Sequence, residues 1–263
     1  MVEPFSHPES SEETSRDFWE RRWQQSGGDA ADREVRRASV LCAMVPEETQ
    51  SVLEVGCGSG VIINRIAVAD TMGVDISAVA LRDVTGPSLQ CSADALPFED
   101  GRYDLVIASE VLEHLPAGVY ESALSEIARV AAHNILISVP NREYLKSSMT
   151  RCPLCGFEYH RSLHERSYAP GNLKGLFKGF KMVSRSQLGD KEPKQTRLEV
   201  LVRRLAGRWA SPNGTVCPNC MAVHDAPVQQ THGVETPRPA EGALKWLCRR
   251  HKASWLAALY ERT

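Results

Sequence analysis

Val52-Leu53-Glu54-Val55-Gly56-Cys57-Gly58-Ser59-Gly60 is the stretch that decides the fold. An apolar strand runs into a glycine turn that opens a helical stretch. Doubly wound α/β sheets bind their ligands at such a joint. Glycine permits the tight turn and lets a ligand lie against bare backbone. The pattern is G-x-G-x-G, not the G-x-G-x-x-G of dinucleotide sites, which argues against a nicotinamide enzyme.

The flanking sequence repeats the same rhythm. Residues 51–55 (SVLEV), 71–75 (TMGVD), 88–91, 104–109 (DLVIAS) and 134–139 (NILISV) read as strands, the last stopped by Pro140. Residues 60–67, 77–83 and 118–131 read as the helices between them. Apolar strands alternating with helices predict a parallel sheet covered on both faces, and right-handed crossovers make it doubly wound. Upstream, residues 17–25 and 33–44 read as helices parted by Gly27-Gly28. Phe18, Trp19 and Trp23 share one face of the first. A staple over the core is the preferred role for these aromatics, and a lid over the ligand is the alternative. Beyond Pro140 the rhythm loosens. A helix over 170–177, a strand over 180–187, a helix over 195–205, a Pro/Gly-rich stretch over 226–242 and a final strand over 254–260 are expected.

With 263 residues, 42% hydrophobic and 24% charged, the composition is that of a globular protein. No apolar run is long enough for a membrane span. Residues 1–15 are polar and acidic and read as a tail, not a secretory signal, so a cytoplasmic location is expected. The net charge of −2 conceals an asymmetry. Residues 1–132 carry 23 acids and 10 bases, and the remainder 10 acids and 21 bases. A basic half can face an anionic partner, or simply be a solvated surface.

Several side chains sharpen the glycine signal. Glu54 precedes the turn and suits a cationic amino group, whereas a pyrophosphate would be repelled. Asp75 ends the next strand, where an acid can accept two ribose hydroxyls. Ser92-Ala93-Asp94-Ala95 follows the third strand and can meet an adenine edge. The whole run resembles the class I S-adenosylmethionine (SAM)-dependent methyltransferases, of the methyltransferase type 11 kind. The matching pieces are VLEVGCGSG, GVDIS, ADALPFEDGRYDLVIASEVLEHL and ILISVPN, in that order.

The resemblance implies a Rossmann-like, doubly wound, seven-stranded and mostly parallel sheet. It places Gly56, Cys57, Gly58 and Gly60 beneath the cofactor and Glu54 near its amino group. Asp75 would bind the ribose, with Ile76 against the adenine. Asp94 and Ala95 would meet the adenine edge, and Ser109 and Glu110 would line the pocket beside the substrate. The expected organisation is a tail over 1–15, a SAM-binding core with its N-terminal helices over 16–140, and the final core strand over 254–263. Residues 141–253 hold the remaining core elements and cap insertions.

Cys152-Pro-Leu-Cys155 and Cys217-Pro-Asn-Cys220 are each half of a tetrahedral zinc centre. In the family fold both lie in insertions at the carboxyl edge of the sheet, so together they would close one structural zinc site with four cysteine ligands beside the SAM pocket. Methyl transfer to oxygen profits from a base. His114, on the E-V-L-E-H-L turn, and His164, from the cap, are the catalytic candidates. A small-molecule or glycan acceptor, methylated at oxygen or nitrogen, is the favoured substrate. The run from Cys152 to Tyr168 resembles an insertion of methyltransferases in sugar, polysaccharide and secondary-metabolite pathways. An RNA methyltransferase gripping phosphate with the basic half is the alternative. A non-catalytic zinc module on the same fold is a third.

Overall fold

A computed structural model describes residues 12–25, 32–193, 197–224 and 251–263. The Gly27-Gly28 break, the 226–242 stretch and the tail over 1–11 lie outside the described residues.

Helices α1 (Glu12–Gln25) and α2 (Asp32–Cys42) precede strands β1 (Ser51–Val55), β2 (Asp70–Asp75), β3 (Ser88–Gln90) and β4 (Tyr103–Ser109). Helix α3 (Ala117–Val130) runs directly into β5 (Ala131–Pro140). Two short strands, β6 (Met149–Arg151) and β7 (Glu158–His160), come before the long β8 (Phe180–Pro193). Helix α4 (Arg197–Leu205), short strands β9 (Thr215–Val216) and β10 (Val223–His224), and β11 (His251–Arg262) complete the order.

Seven strands form one sheet in the order β3-β2-β1-β4-β5-β11-β8. Strands β1 to β5 pair in parallel, and β11 runs antiparallel to both β5 and β8. Alternate residues point to opposite faces of a strand, and two cores result. Leu53, Val106, Ile135, Ile137 and Tyr260 pack with Leu124 and Ile127 of α3 on one face. Val52, Leu105, Ile107 and Leu136 pack with Ala38 and Leu41 of α2 on the other. This is the expected mostly parallel, Rossmann-like architecture, with both faces covered.

Three expected helices do not form. After β1 the chain makes one turn, Asn64 N–H to Gly60 C=O, and tightens into a 3-10 segment at Ile63–Arg65. Val61, Ile62 and Ile63 are β-branched and restrict their own rotamers in a helix, and Ile66 is already extended. After β2 only Ala80–Asp83 is helical, again 3-10. Residues 170–177 are successive turns, where Gly175 adopts φ +70°. Strand β8 runs six residues past its expected end because β11 pairs with it as far as His251–Pro193. Helix α1 begins five residues earlier than expected, at Glu12.

Candidate functional site

The carboxyl ends of β1, β2 and β4 open into a cleft of about 980 Å³. Gly56, Gly58 and Gly60 all take positive φ. A Cβ on Gly56 would stand 2.2 Å from Val111 Cγ2, and one on Gly58 would stand 2.7 Å from Trp23 Cζ2. The turn is pinned by Asp75, whose two carboxylate oxygens accept from Gly58 N–H and Ser77 N–H, both at 2.9 Å. Glu54 accepts from Ile63 N–H at 2.8 Å. Burial pushes Glu54 up to about 8, and the nearby Asp75 adds to this. Burial also raises Asp75, against the pull of the Ser77 and Gly58 amides. The cleft is therefore lined by two buried acids ready for cationic or hydroxyl partners.

All the predicted cofactor residues line this cleft except Gly60 and Ala95. Gly60 N–H bonds back to Cys57 C=O at 2.9 Å, and Ala95 N–H to Ser92 C=O at 3.2 Å, so both shape the turns behind the wall. Asp94 is held by the Ser92 hydroxyl.

Helix α1 covers the turn. Trp23 lies on Gly58, and Trp19 meets the His114 ring edge-on at 5.1 Å. Glu20 accepts from Ala78 N–H (2.7 Å), Val79 N–H (3.0 Å) and the Ser77 hydroxyl (3.0 Å). Burial alone would raise the Glu20 carboxyl, but these donors outweigh it and hold it below its ordinary value. Trp19 and Trp23 thus line the cleft, while Phe18 is buried in contact with Trp19. Glu20 carried no signal in the sequence, because its donors lie some 57 residues away.

At the other end of the cleft β4 leads into Glu110, a non-glycine residue at φ 58°. That strained conformation turns its carboxylate onto Trp255 Nε1–H at 2.7 Å, with Arg37 at 3.5 Å. Glu113 follows, fully buried, and neither of its oxygens has a hydrogen-bond partner among the described residues. Burial, then the charge of Glu110, pushes Glu113 well up. Burial, then His164 and His160, pushes His114 well down.

The two catalytic candidates meet here, with ring centroids 4.7 Å apart. His164 Nδ1 bonds to Glu143 Oε2, and His160 Nε2 lies 3.3 Å from Glu143 Oε1. His160 also stacks on His164 at 4.8 Å. Burial would raise Glu143, but the two histidines hold it well below the usual carboxylate range. The sequence reading gave Glu113, Glu143 and His160 no part in this cluster. Glu113 lies in the E-V-L-E-H-L turn and His160 in the run from Cys152 to Tyr168, but only the folding of the 141–165 segment against the β4 end brings them and Glu143 together.

The four cysteines converge. Sγ of Cys152 is 3.7 Å from Cys220, and Cys155 is 3.6 Å from Cys217. All four Sγ atoms lie within 4.8 Å of one another. Zn–S bonds of about 2.3 Å in a tetrahedron put sulfurs about 3.8 Å apart, so the donor set fits zinc. The halves are near copies. Gly156 N–H returns to Cys152 C=O, and Met221 N–H to Cys217 C=O, both at 2.9 Å. Gly156 (φ 75°) and Met221 (φ 58°) share the left-handed turn. Each knuckle is carried by a two-stranded hairpin, β6–β7 or β9–β10. Tyr159 and Thr215 hydroxyls join the hairpins at 2.8 Å. Arg22 of α1 donates to Gly214 C=O at 2.7 Å, and Pro218 reaches the cleft.

Comparison with known proteins agrees with this geometry. A methyltransferase-domain family model matches residues 53–137. A ubiquinone biosynthesis O-methyltransferase of Albidiferax ferrireducens is 35% identical over 86 residues, 28% of this chain and 34% of that protein. The chain spans less than half the length of the curated relatives it matches first, 34% to 44% of them. Among solved structures, a chain of the complex of the Haloferax volcanii Trm112 methyltransferase activator with a methyltransferase superposes with TM-score 0.57. It is 16% identical and covers 96% of this chain and 97% of that one. A SAM-dependent methyltransferase from Archaeoglobus fulgidus gives 0.53 at 19% identity, over 88% of this chain and 95% of that one. Residues 53–137 thus match a methyltransferase-domain family, and the chain shares the fold of these solved methyltransferase structures.

Proposed function

We propose that the protein transfers the methyl group of SAM to an oxygen or nitrogen atom of a small-molecule or glycan acceptor. One observation carries this reading. The buried acids Glu54 and Asp75 flank the glycine turn at one end of a single cleft, and His114 and His164 close its other end. Bound SAM supplies an activated methyl group, so the protein's task is alignment and exclusion of water.

The chain's own residues divide that task. Glu54 pairs with the cofactor's ammonium, and Asp75 accepts its ribose hydroxyls. Ile76 and Asp94 enclose the adenine, and Ala95 shapes the turn behind them. Gly56 and Gly58 keep the backbone bare where the ligand lies closest. Ser109 and Glu110 stand between cofactor and acceptor. His114 and His164 handle the proton that the acceptor loses, and Glu143 fixes the His164 ring through Nδ1. An O-methyltransferase among the relatives supports oxygen as the acceptor atom.

Cys152, Cys155, Cys217 and Cys220 hold one structural zinc. Four thiolates leave no open position for water, so the ion clamps the β6–β7 and β9–β10 hairpins together as a cap whose Pro218, with Ser162 and Leu163 beyond β7, walls the acceptor end. No helix among the described residues is long and apolar enough to cross a membrane.

Calorimetric titration with SAM and S-adenosylhomocysteine tests the cofactor half. Both ligands should bind, and Asp75→Ala should abolish binding. A folded protein that binds neither overturns the proposal. Turnover on hydroxylated small molecules and oligosaccharides tests the acceptor half. Salt-dependent binding and methylation of RNA instead would move the acceptor to nucleic acid.

A further inference from the structure

Two imidazoles and a carboxylate meet at the acceptor end of the cleft. Glu113, His114 and His164 each place one donor atom within 4.8 Å of the others. Glu113 is 0% exposed, and both its oxygens lack a partner among the described residues. Interior carboxylates are ordinarily hydrogen-bonded, paired or bound to a metal, because desolvation without compensation is costly. Nδ1 of His114 is likewise buried and unpartnered, while the ring is hydrogen-bonded to the Leu163 backbone. His164 gives Nδ1 to Glu143 and so keeps Nε2 for a ligand. Each imidazole therefore has one nitrogen anchored and the other free, as in metal-bound histidines, whose second nitrogen meets a carboxylate or a backbone carbonyl.

The surrounding charges favour a cation. Glu110, Glu113 and Glu143 are all buried or half-buried here, faced by Arg37 on Glu110 and by Arg166, whose guanidinium is taken by the Leu112 and Leu115 carbonyls. His160 stacks behind His164 and belongs to the anchoring layer.

We infer that Glu113, His114 and His164 hold a divalent first-row transition-metal cation, with Glu143 orienting His164 from behind. Two histidines and one carboxylate leave coordination positions open, unlike the four thiolates of the ribbon. The inference rests on the proposal that an acceptor is methylated in this cleft, and it deepens it. With the ion bound, the two histidines would not take the acceptor's proton themselves but would act on the acceptor through the ion. The acceptor class becomes a small molecule with two adjacent oxygens, a vicinal diol or a hydroxy-carbonyl. Its hydroxyl proton would leave to solvent as the oxygen binds.

Manganese(II) is the probe, because it prefers carboxylate, water and imidazole to thiolate. The full chain, with its zinc content measured, is titrated with Mn²⁺, and loss of the free-ion electron paramagnetic resonance signal counts the bound ion. One Mn²⁺ per chain is expected, with zinc at the cysteines unchanged. Glu113→Gln and His164→Ala should each weaken Mn²⁺ at least about 100-fold. Glu143→Gln should weaken it by about 10- to 100-fold, as loss of an outer partner does.

SAM titration of the same samples shows that each variant is folded and separates the two proposals. SAM binding without Mn²⁺ binding overturns the cation site alone. Mn²⁺ binding unaffected by Glu113→Gln and His164→Ala also overturns it. Mn²⁺ binding without SAM binding overturns the methyltransferase reading and leaves the cation site standing.

Discussion

Cys57 and Cys217 are both buried, and they belong to different kinds of structure. Cys57 is 5% exposed in the glycine turn, where its N–H bonds to Val74 C=O and its side chain packs against Gly73. Burial, then Glu54 and Asp75, pushes its thiol up, so it behaves as a small apolar filler. Cys217 is 0% exposed in a ribbon whose apolar cluster, among the described residues, buries Cys152, Tyr159 and Cys217, with Phe157, Leu163 and Ala222 partly buried against them. The glycine turn inherits its shape from a seven-stranded sheet with a core on each face. The ribbon is too small to bury such a core, and small domains of that kind rely on a metal or a disulfide. Damage should thus be graded in the first region and all-or-none in the second.

The largest expected effect is Cys217→Ser. Zinc should fall from one per chain to near zero, because metal binding is itself the folding energy of such a unit, of the order of 10 kcal/mol. Limited proteolysis should then cut within 141–224, while SAM affinity changes less than about threefold. Loss of SAM binding together with zinc would show that sheet and ribbon are one cooperative unit. Cys57→Ser should leave zinc content intact.

Next comes Gly58→Ala. Its Cβ would meet Trp23 at 2.7 Å in a left-handed conformation. Strain of about 1–3 kcal/mol should weaken SAM by about 10- to 100-fold in a titration, with zinc retained. Unchanged affinity would show that α1 yields freely.

Glu54→Gln sharpens the contrast through pH. A carboxyl raised from 4.5 to about 8 in the fold holds its proton longer there than in the unfolded chain. Its ionisation therefore opposes folding. The penalty is absent below pH 4.5, reaches about 3 kcal/mol near pH 7, and levels off above about pH 8. The ligand-free Tm of Glu54→Gln should match wild type at pH 4.5 and exceed it increasingly towards pH 8. SAM affinity should drop about tenfold, the loss of one charged partner. In the wild type that affinity should rise with pH up to about 8, since the ammonium needs the ionised acid. A lower Tm for Glu54→Gln at pH 8 would show that the acid supports the fold.

The smallest effect belongs to Glu20→Ala, which strips the 77–79 turn of its acceptor. The loss should be about 1 kcal/mol, read as a rise of about fivefold in KM for SAM with kcat and zinc unaltered.

The same contrast explains what the sequence made legible. Strand β1 is where SVLEV placed it, and β4 and β5 are close to their expected bounds, because strands buried on both faces are written as unbroken apolar runs. The cysteine pairs were legible because C-P-x-C is self-contained, and the fold's edge topology brought them together across 62 residues. The connections after β1 and β2 were misread as helices, since apolar periodicity cannot tell one turn from three. The roles of Glu20, Glu113 and Glu143 were invisible for another reason. Each derives its meaning from a partner or an empty neighbourhood that exists only once distant segments have met.

Strand β11 carries a consequence for how the protein is made. It is the strip between β5 and β8, and among the described residues β8 has no other neighbour in the sheet. On the ribosome, β1 to β5 can assemble as soon as residue 140 has emerged, and the two knuckles can take up metal once residue 220 is out. All that time β8 waits as an unpaired strand, until His251–Arg262 is synthesised and supplies both hydrogen-bonding edges at once. The cofactor half can thus be ready early, while the interval between residues 193 and 251 is when a nascent chain is most exposed to wrong pairing.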